Sequence, residues 1–220
     1  GSINIANQQL LGLNQAQKSS SLIQSLQKHR GISAAVIAGV EGSAHKQVLV
    51  NKKVDEHFLK VSESLPPELK EIANWSTIIA QWKNLKAKSL TLELDESFKL
   101  HTTLIHSLNS LQLKVADYFN LLVIDDLDSH YLIDSLLVPL PMTLELLGQA
   151  RGLGVSHLIN ESTKTTETIT TLLSNATIPL GIFKENIHMI KSELGSNEKN
   201  IFAQDLIQTI EKHITLTLDG

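Results

Sequence analysis

The stretch "LQKHRGISAAVIAG", Leu26 to Gly39, decides how this chain is read. Its apolar residues recur at helical spacing, yet Arg30 sits among them. Far downstream the chain repeats itself in "LGQARGLGVSHLI", Leu147 to Ile159. These two stretches hold the only two arginines, against 17 lysines. At offsets −7, −4, +4 and +7 the first arginine is flanked by Ile23, Leu26, Ala34 and Ile37. The second is flanked by Leu144, Leu147, Val155 and Leu158. All eight are apolar, the pattern of a helix face turned to a core. Both Arg30 and Arg151 are therefore expected in the middle of a buried stripe. A glycine follows each time, Gly31 and Gly152, with a small residue two further on, Ser33 and Gly154. Glycine inside a helix costs about 1 kcal/mol relative to alanine. Its use beside both arginines predicts a helix or a ligand close to the backbone there.

Working outward, the 220 residues are 42% apolar and 19% charged, which is a globular composition. The net charge of −4 leaves no basic surplus for nucleic acid or an anionic membrane. Zero cysteines exclude disulfides, thiolate chemistry and cysteine-bound zinc. No run of 18 apolar residues occurs, so the sequence reads as having no membrane span of its own. Gly1-Ser2 has the form of an expression scar and is set aside, which makes the chain a piece cut from something longer. Few prolines, few aromatics and almost no alternation predict an all-α fold. The predicted helices are 5–38, ending at Gly39 or Gly42; 45–64, ended by Pro66-Pro67; one from Pro67 carrying Trp75 and Trp82 on one face; and 92–119. Pro139 and Pro141 predict a break before a helix over 142–159. Then "NESTKTTET" caps a helix over 165–194, kinked near Pro179, and a last one spans 198–218. Long helices in this number suit an elongated fold of two stacked helical bundles sharing long helices. Residues 3–220 are thus read as a single helical domain of two bundle subdomains.

A guanidinium keeps its charge in a core, so it needs a counter-charge. The helical neighbours at three and four residues supply none: Leu26, Gln27, Ser33 and Ala34 around Arg30, and Leu147, Gly148, Gly154 and Val155 around Arg151. The partner comes from another helix, another subunit or a bound anion. Arginine adds a planar fork of donors suited to a carboxylate, a phosphate or a small planar oxyanion. Two such forks converging would make an anion site in a bundle core, or across the two-fold axis of a homodimer. The plainer reading is a core acid on another helix, with Glu56, Glu93 and Glu145 as candidates.

At these residues the sequence resembles the nitrate- and nitrite-sensing domain family of bacterial signal-input domains. "LQKHRGISAAVIAG" is close to the family's first-helix pattern, and "ELLGQARGLGVSHLI" resembles its second arginine segment. The resemblance implies two stacked helical bundles that bind a small anion between helices. It makes Arg30 and Arg151 the anion ligands. His29 stands where the family can carry another arginine, and would assist if protonated. The family's later arginines have no counterpart after Arg151. The ligand class therefore widens from nitrate or nitrite to other small anions, including small carboxylates.

Other constellations carry less. No HExxH is present, no two of the nine histidines are four residues apart, and His101 and His106 diverge on a helix. No metal or other cofactor is therefore expected. Asp125, Asp126 and Asp128 lack the glycine and closing acid of a calcium loop. Gly148-x-x-x-Gly152 fits close helix packing. Lys18-Ser19-Ser20-Ser21 reads as helix surface or a polar bundle layer, and no strained nucleophile turn marks an enzyme. The expectation is a non-enzymatic, ligand-binding, periplasmic sensor domain of an inner-membrane receptor: a chemoreceptor, histidine kinase or diguanylate cyclase. Its partners would be a small anion, a second copy in a homodimer, and flanking transmembrane helices outside this stretch of chain. The alternative is a helical protein–protein interaction module without a small ligand. Site residues in the first reading are Arg30, Arg151, His29, Gly31, Ser33 and Gly152.

Overall fold

The computed structural model describes residues 2–121, 127–157 and 162–193. The fold is all-α. Eight helices are present among the described residues: α1 Ser2–Ile37, α2 Ser43–Ser64, α3 Pro67–Ile72, α4 Trp75–Lys88, α5 Leu94–Tyr118, α6 Leu127–Leu137, α7 Pro139–His157 and α8 Thr163–Glu193. The predicted helix over 198–218, the end of the predicted 142–159 helix and the Asp125-Asp126 pair lie outside the described residues.

The helix ends follow from local chemistry. α1 closes with a Schellman turn: Gly39 is left-handed (φ 75°), its N–H donates to Val36 O, and Val40 N–H donates to Ala35 O. α5 closes the same way with Asn120 (φ 53°) in the glycine's place, bonding to Asp117 O while Leu121 N–H reaches Ala116 O. The helix predicted from Pro67 through Trp82 is instead two, α3 and α4. Asn74 adopts a left-handed conformation (φ 51°) and its carbonyl accepts from Thr77 and Ile78, so the chain turns and restarts there. At the other expected break, α6 ends at Leu137 and Pro139 opens α7, where its missing N–H costs nothing. α8 runs through Pro179 as one helix.

Two compact units are present. Unit 1 comprises Gly1–Leu121 with Gln149–Ile169, and unit 2 comprises Leu122–Gly148 with Thr170–Gly220, so α7 and α8 contribute residues to both. Unit 1 is built on α1, α2, α4 and α5. Pairing of His29 with Asn51 and Ser33 with Gln47 sets α2 antiparallel to α1. Arg30 with Thr102 and Ser20 with Gln112 set α5 antiparallel to α1. Phe58 of α2 lies against Trp75 and Trp82 of α4, which closes the ring of helices. The buried positions of α2, from Val50 through Val54 and Phe58 to Val61, keep bundle spacing. Each such side chain contributes about 1.5–3 kcal/mol by leaving water. The core of unit 2 is Phe183, Ile187 and Ile190 of α8 with Tyr131, Leu132 and Leu140 packed on it.

The reading that no stretch could span a membrane is corrected for one segment. His130–Val155 is long and apolar enough by length and composition, and 28% of its most apolar window is buried. Its leucines raise the average hydropathy although charged residues interrupt them.

Candidate functional site

The first arginine segment builds a polar layer inside unit 1. Arg30 is 2% exposed. Its guanidinium lies over the ring of Phe98, 5.2 Å from the centroid, and Nη1–H donates to Thr102 Oγ1 at 3.0 Å. Both partners belong to α5. One residue earlier, His29 is fully buried and points to the other side of the same helix contact. Its Nδ1 is 2.6 Å from His101 Nε2, and its Nε2 is 2.8 Å from Asn51 Oδ1. His101 Nδ1 in turn lies 2.6 Å from the carbonyl of Ser97.

The direction of this chain of bonds can be worked out. A carbonyl only accepts, so His101 Nδ1 carries the hydrogen. Neutral His101 then accepts at Nε2, which obliges His29 Nδ1 to donate. His29 Nε2 is left to accept, which is met with the Asn51 amide turned to present its NH2 group. Both rings are neutral at pH 7. Burial pushes His29 down to about 4. Burial also pushes His101 down to about 3, helped by the neighbouring His29. Ser33 Oγ accepts from Gln47 Nε2 at 3.0 Å and stands 3.4 Å from His29 Nδ1. Trp82 meets His29 edge to face and donates its Nε1–H to Asp55, which also pairs with Lys86.

The second arginine segment is only partly where the sequence placed it. Arg151 is exposed, which corrects the expectation that both arginines are buried. The apolar stripe beside it, Leu144, Leu147 and Val155, is only half-buried, while Gln149, Ala150 and Gly152 are the covered positions. The covered face of α7 is thus turned away from the arginine. Leu158 lies outside the described residues. The glycine argument is also divided. A Cβ at Gly152 would make an ordinary contact with Phe98 Cε2 at 3.5 Å, so α7 touches α5 there but glycine is not required for the approach. A Cβ at Gly31 would meet nothing within 4 Å, so the close approach predicted at that position is absent. His29, expected to assist as a cation, is neutral and committed to its two hydrogen bonds. Of the acids proposed as core partners, Glu56 and Glu93 are exposed and Glu145 is buried.

What the structure does bring together is Arg30 and Gly152, both beside one ring, Phe98. Sequence reading missed Phe98, Thr102, Asn51, Gln47 and His101. Only His101 carried a signal, as one of two histidines on α5, and its partner is 72 residues away. Among the described residues no three His, Asp or Glu side chains gather as for a metal ion.

The fold and this site define a helical bundle protein with a charged, hydrogen-bonded layer in its core. No family model, no curated protein and no solved structure matches the chain.

Proposed function

We propose that this chain is the anion-sensing input module of a bacterial membrane receptor, with Arg30 as its anchor. The observation that carries the reading is the convergence on Phe98. Two arginine-bearing segments, distant in sequence and alike in pattern, meet at one aromatic side chain of α5. Arg30 supplies a buried fork steadied by the Phe98 face and Thr102. Arg151, exposed and turned away from Phe98, contributes long-range positive charge that draws the anion in. A small planar oxyanion or a small carboxylate suits this donor geometry. Occupancy would change the packing of α1 against α5, and the long helix α1 would carry the shift to an output domain. The periplasmic placement and the homodimer belong to this reading.

Calorimetry with nitrate, nitrite, acetate and malonate tests it on wild type, Arg30→Ala, Arg30→Lys, Thr102→Val and Arg151→Ala. Expected are loss of binding in Arg30→Ala, and weakening of about tenfold in Arg30→Lys and Thr102→Val. Arg151→Ala should mainly slow association. Unchanged affinity in a folded Arg30→Ala and in Thr102→Val sinks the proposal.

One observation favours a second reading, a module that binds another protein. Ile178, Ile182 and Met189 are 67%, 47% and 41% exposed, on the face of α8 opposite its buried residues. Anion binding separates the two readings.

A further inference from the structure

We propose that the outer seam between α4 and α5 is a second binding site, for a small polyhydroxylated anion such as a sugar acid or a sugar phosphate. This site is independent of Arg30 and goes beyond the reading above.

The seam holds an open groove of about 470 Å³, within the range of small-molecule sites. Two antiparallel bundle helices usually close such a seam with long side chains laid across it. Here α4 contributes Asn74, Thr77 and Gln81, and the facing stripe of α5 contributes Thr103, Ser107 and Ser110. These are short hydroxyls and amides, so the seam stays open. Its floor is apolar, from buried Ala73 and Ile78, and suits the C–H face of a sugar ring.

The polar groups are ordered along the groove. Lys114 stands at the end where α4 begins. Its Nζ donates to the carbonyl of Ile72 at 3.2 Å, which fixes the ammonium there. Asn74, just before α4, makes no side-chain capping bond to the helix. The start of this 14-residue helix adds its own partial positive charge. His106 stands between the ends, and no carboxylate lines the groove. At the far end the Gln81 side chain lines the groove with its amide. A ligand hydroxyl at the Gln81 amide and an anionic group at Lys114 answer both ends. Four protein hydroxyls line the groove, from Thr77, Thr103, Ser107 and Ser110. Ser107 donates to the carbonyl of Thr103 and so offers a ligand its lone pairs, to which sugar hydroxyls can donate. A bare inorganic anion would leave most of the groove empty. A neutral sugar would leave Lys114 unanswered.

The test is an amide-resolved NMR titration of the whole chain with glucose 6-phosphate, gluconate, glucose and inorganic phosphate. Saturable shifts at Thr77, Gln81, Thr103, Ser107 and Ser110 are expected with at least one of the two sugar anions. The one that binds tells phosphate from carboxylate. Glucose and phosphate alone should bind about tenfold more weakly or not at all. Lys114→Met should weaken the response about tenfold, and Gln81→Leu several-fold. Both positions lie at the rim of a surface groove, where substitution leaves the core intact. Arg30→Ala should leave these shifts unchanged, which separates this site from the core one. No saturable shift with either sugar anion up to about 20 mM, or shifts that survive Lys114→Met undiminished, overturns the assignment.

Discussion

Burial of two imidazoles side by side fixes how this protein meets acid. His29 and His101 titrate at about 4 and about 3 in the fold, and near 6.5 when unfolded. Between those values the unfolded chain holds protons that the folded chain does not. Stability therefore rises with pH in that window and falls as the pH drops below about 6.5. The slope is up to about 1.4 kcal/mol per pH unit for each ring. Denaturant unfolding at pH 7.5 and pH 4.5 should differ by up to about 3 kcal/mol per histidine. His101→Gln should flatten that dependence, and equal losses in both proteins would refute the assignment. The sequence exposed Arg30 as unusual because its charge stands out among apolar neighbours. It gave no hint that His29 and His101 meet, because a pair joined only by tertiary contact leaves no spacing to read.

Glycines decide a good deal at the scale of helices, though not the glycines that the sequence singled out. Gly12, on α1, is the tight one: a Cβ there would stand 2.5 Å from Phe119 Cβ and 2.8 Å from Leu121 Cδ2. Gly12→Ala should lower stability by about 1–3 kcal/mol, as overpacking does. Gly31→Ala meets open space inside a helix and should raise stability by about 1 kcal/mol. Thermal or denaturant melts of the two variants check both signs, and a destabilised Gly31→Ala would show that the backbone there is in use. The helix boundaries set by Gly39, Pro66-Pro67 and Pro139 were legible because those residues act locally. The break at Asn74 was not, since asparagine also occurs inside this chain's helices, as Asn51 does in α2 and Asn109 in α5, and turns left-handed only at some positions. The polar seam between α4 and α5 was likewise hidden, because its two stripes are innocuous alone and become a groove only when they face each other.

For the whole molecule, the proposed anion site has a thermal consequence. An anion at 100 times its dissociation constant should stabilise the fold by about 2.7 kcal/mol, which for a chain of this size raises the melting temperature by about 5–10 °C. A panel of nitrate, nitrite, acetate and malonate at constant ionic strength reads this directly. A flat panel favours the protein-binding reading. The shift should vanish in Arg30→Ala and persist in Lys114→Met, since none of Arg30, Phe98 and Thr102 lines the groove.

The sequence alone determined that this chain is all-helical, that Arg30 is buried on α1, and that Trp75 and Trp82 share a core face. Periodicity and side-chain chemistry act within one helix, so they are written into adjacent residues. The tertiary structure decided that Arg151 is exposed, that Phe98 joins the two arginine segments, and that His29 and His101 share a hydrogen bond. Each of these depends on the register between helices far apart in the chain. That register is set by the packing of whole faces, which no single segment encodes.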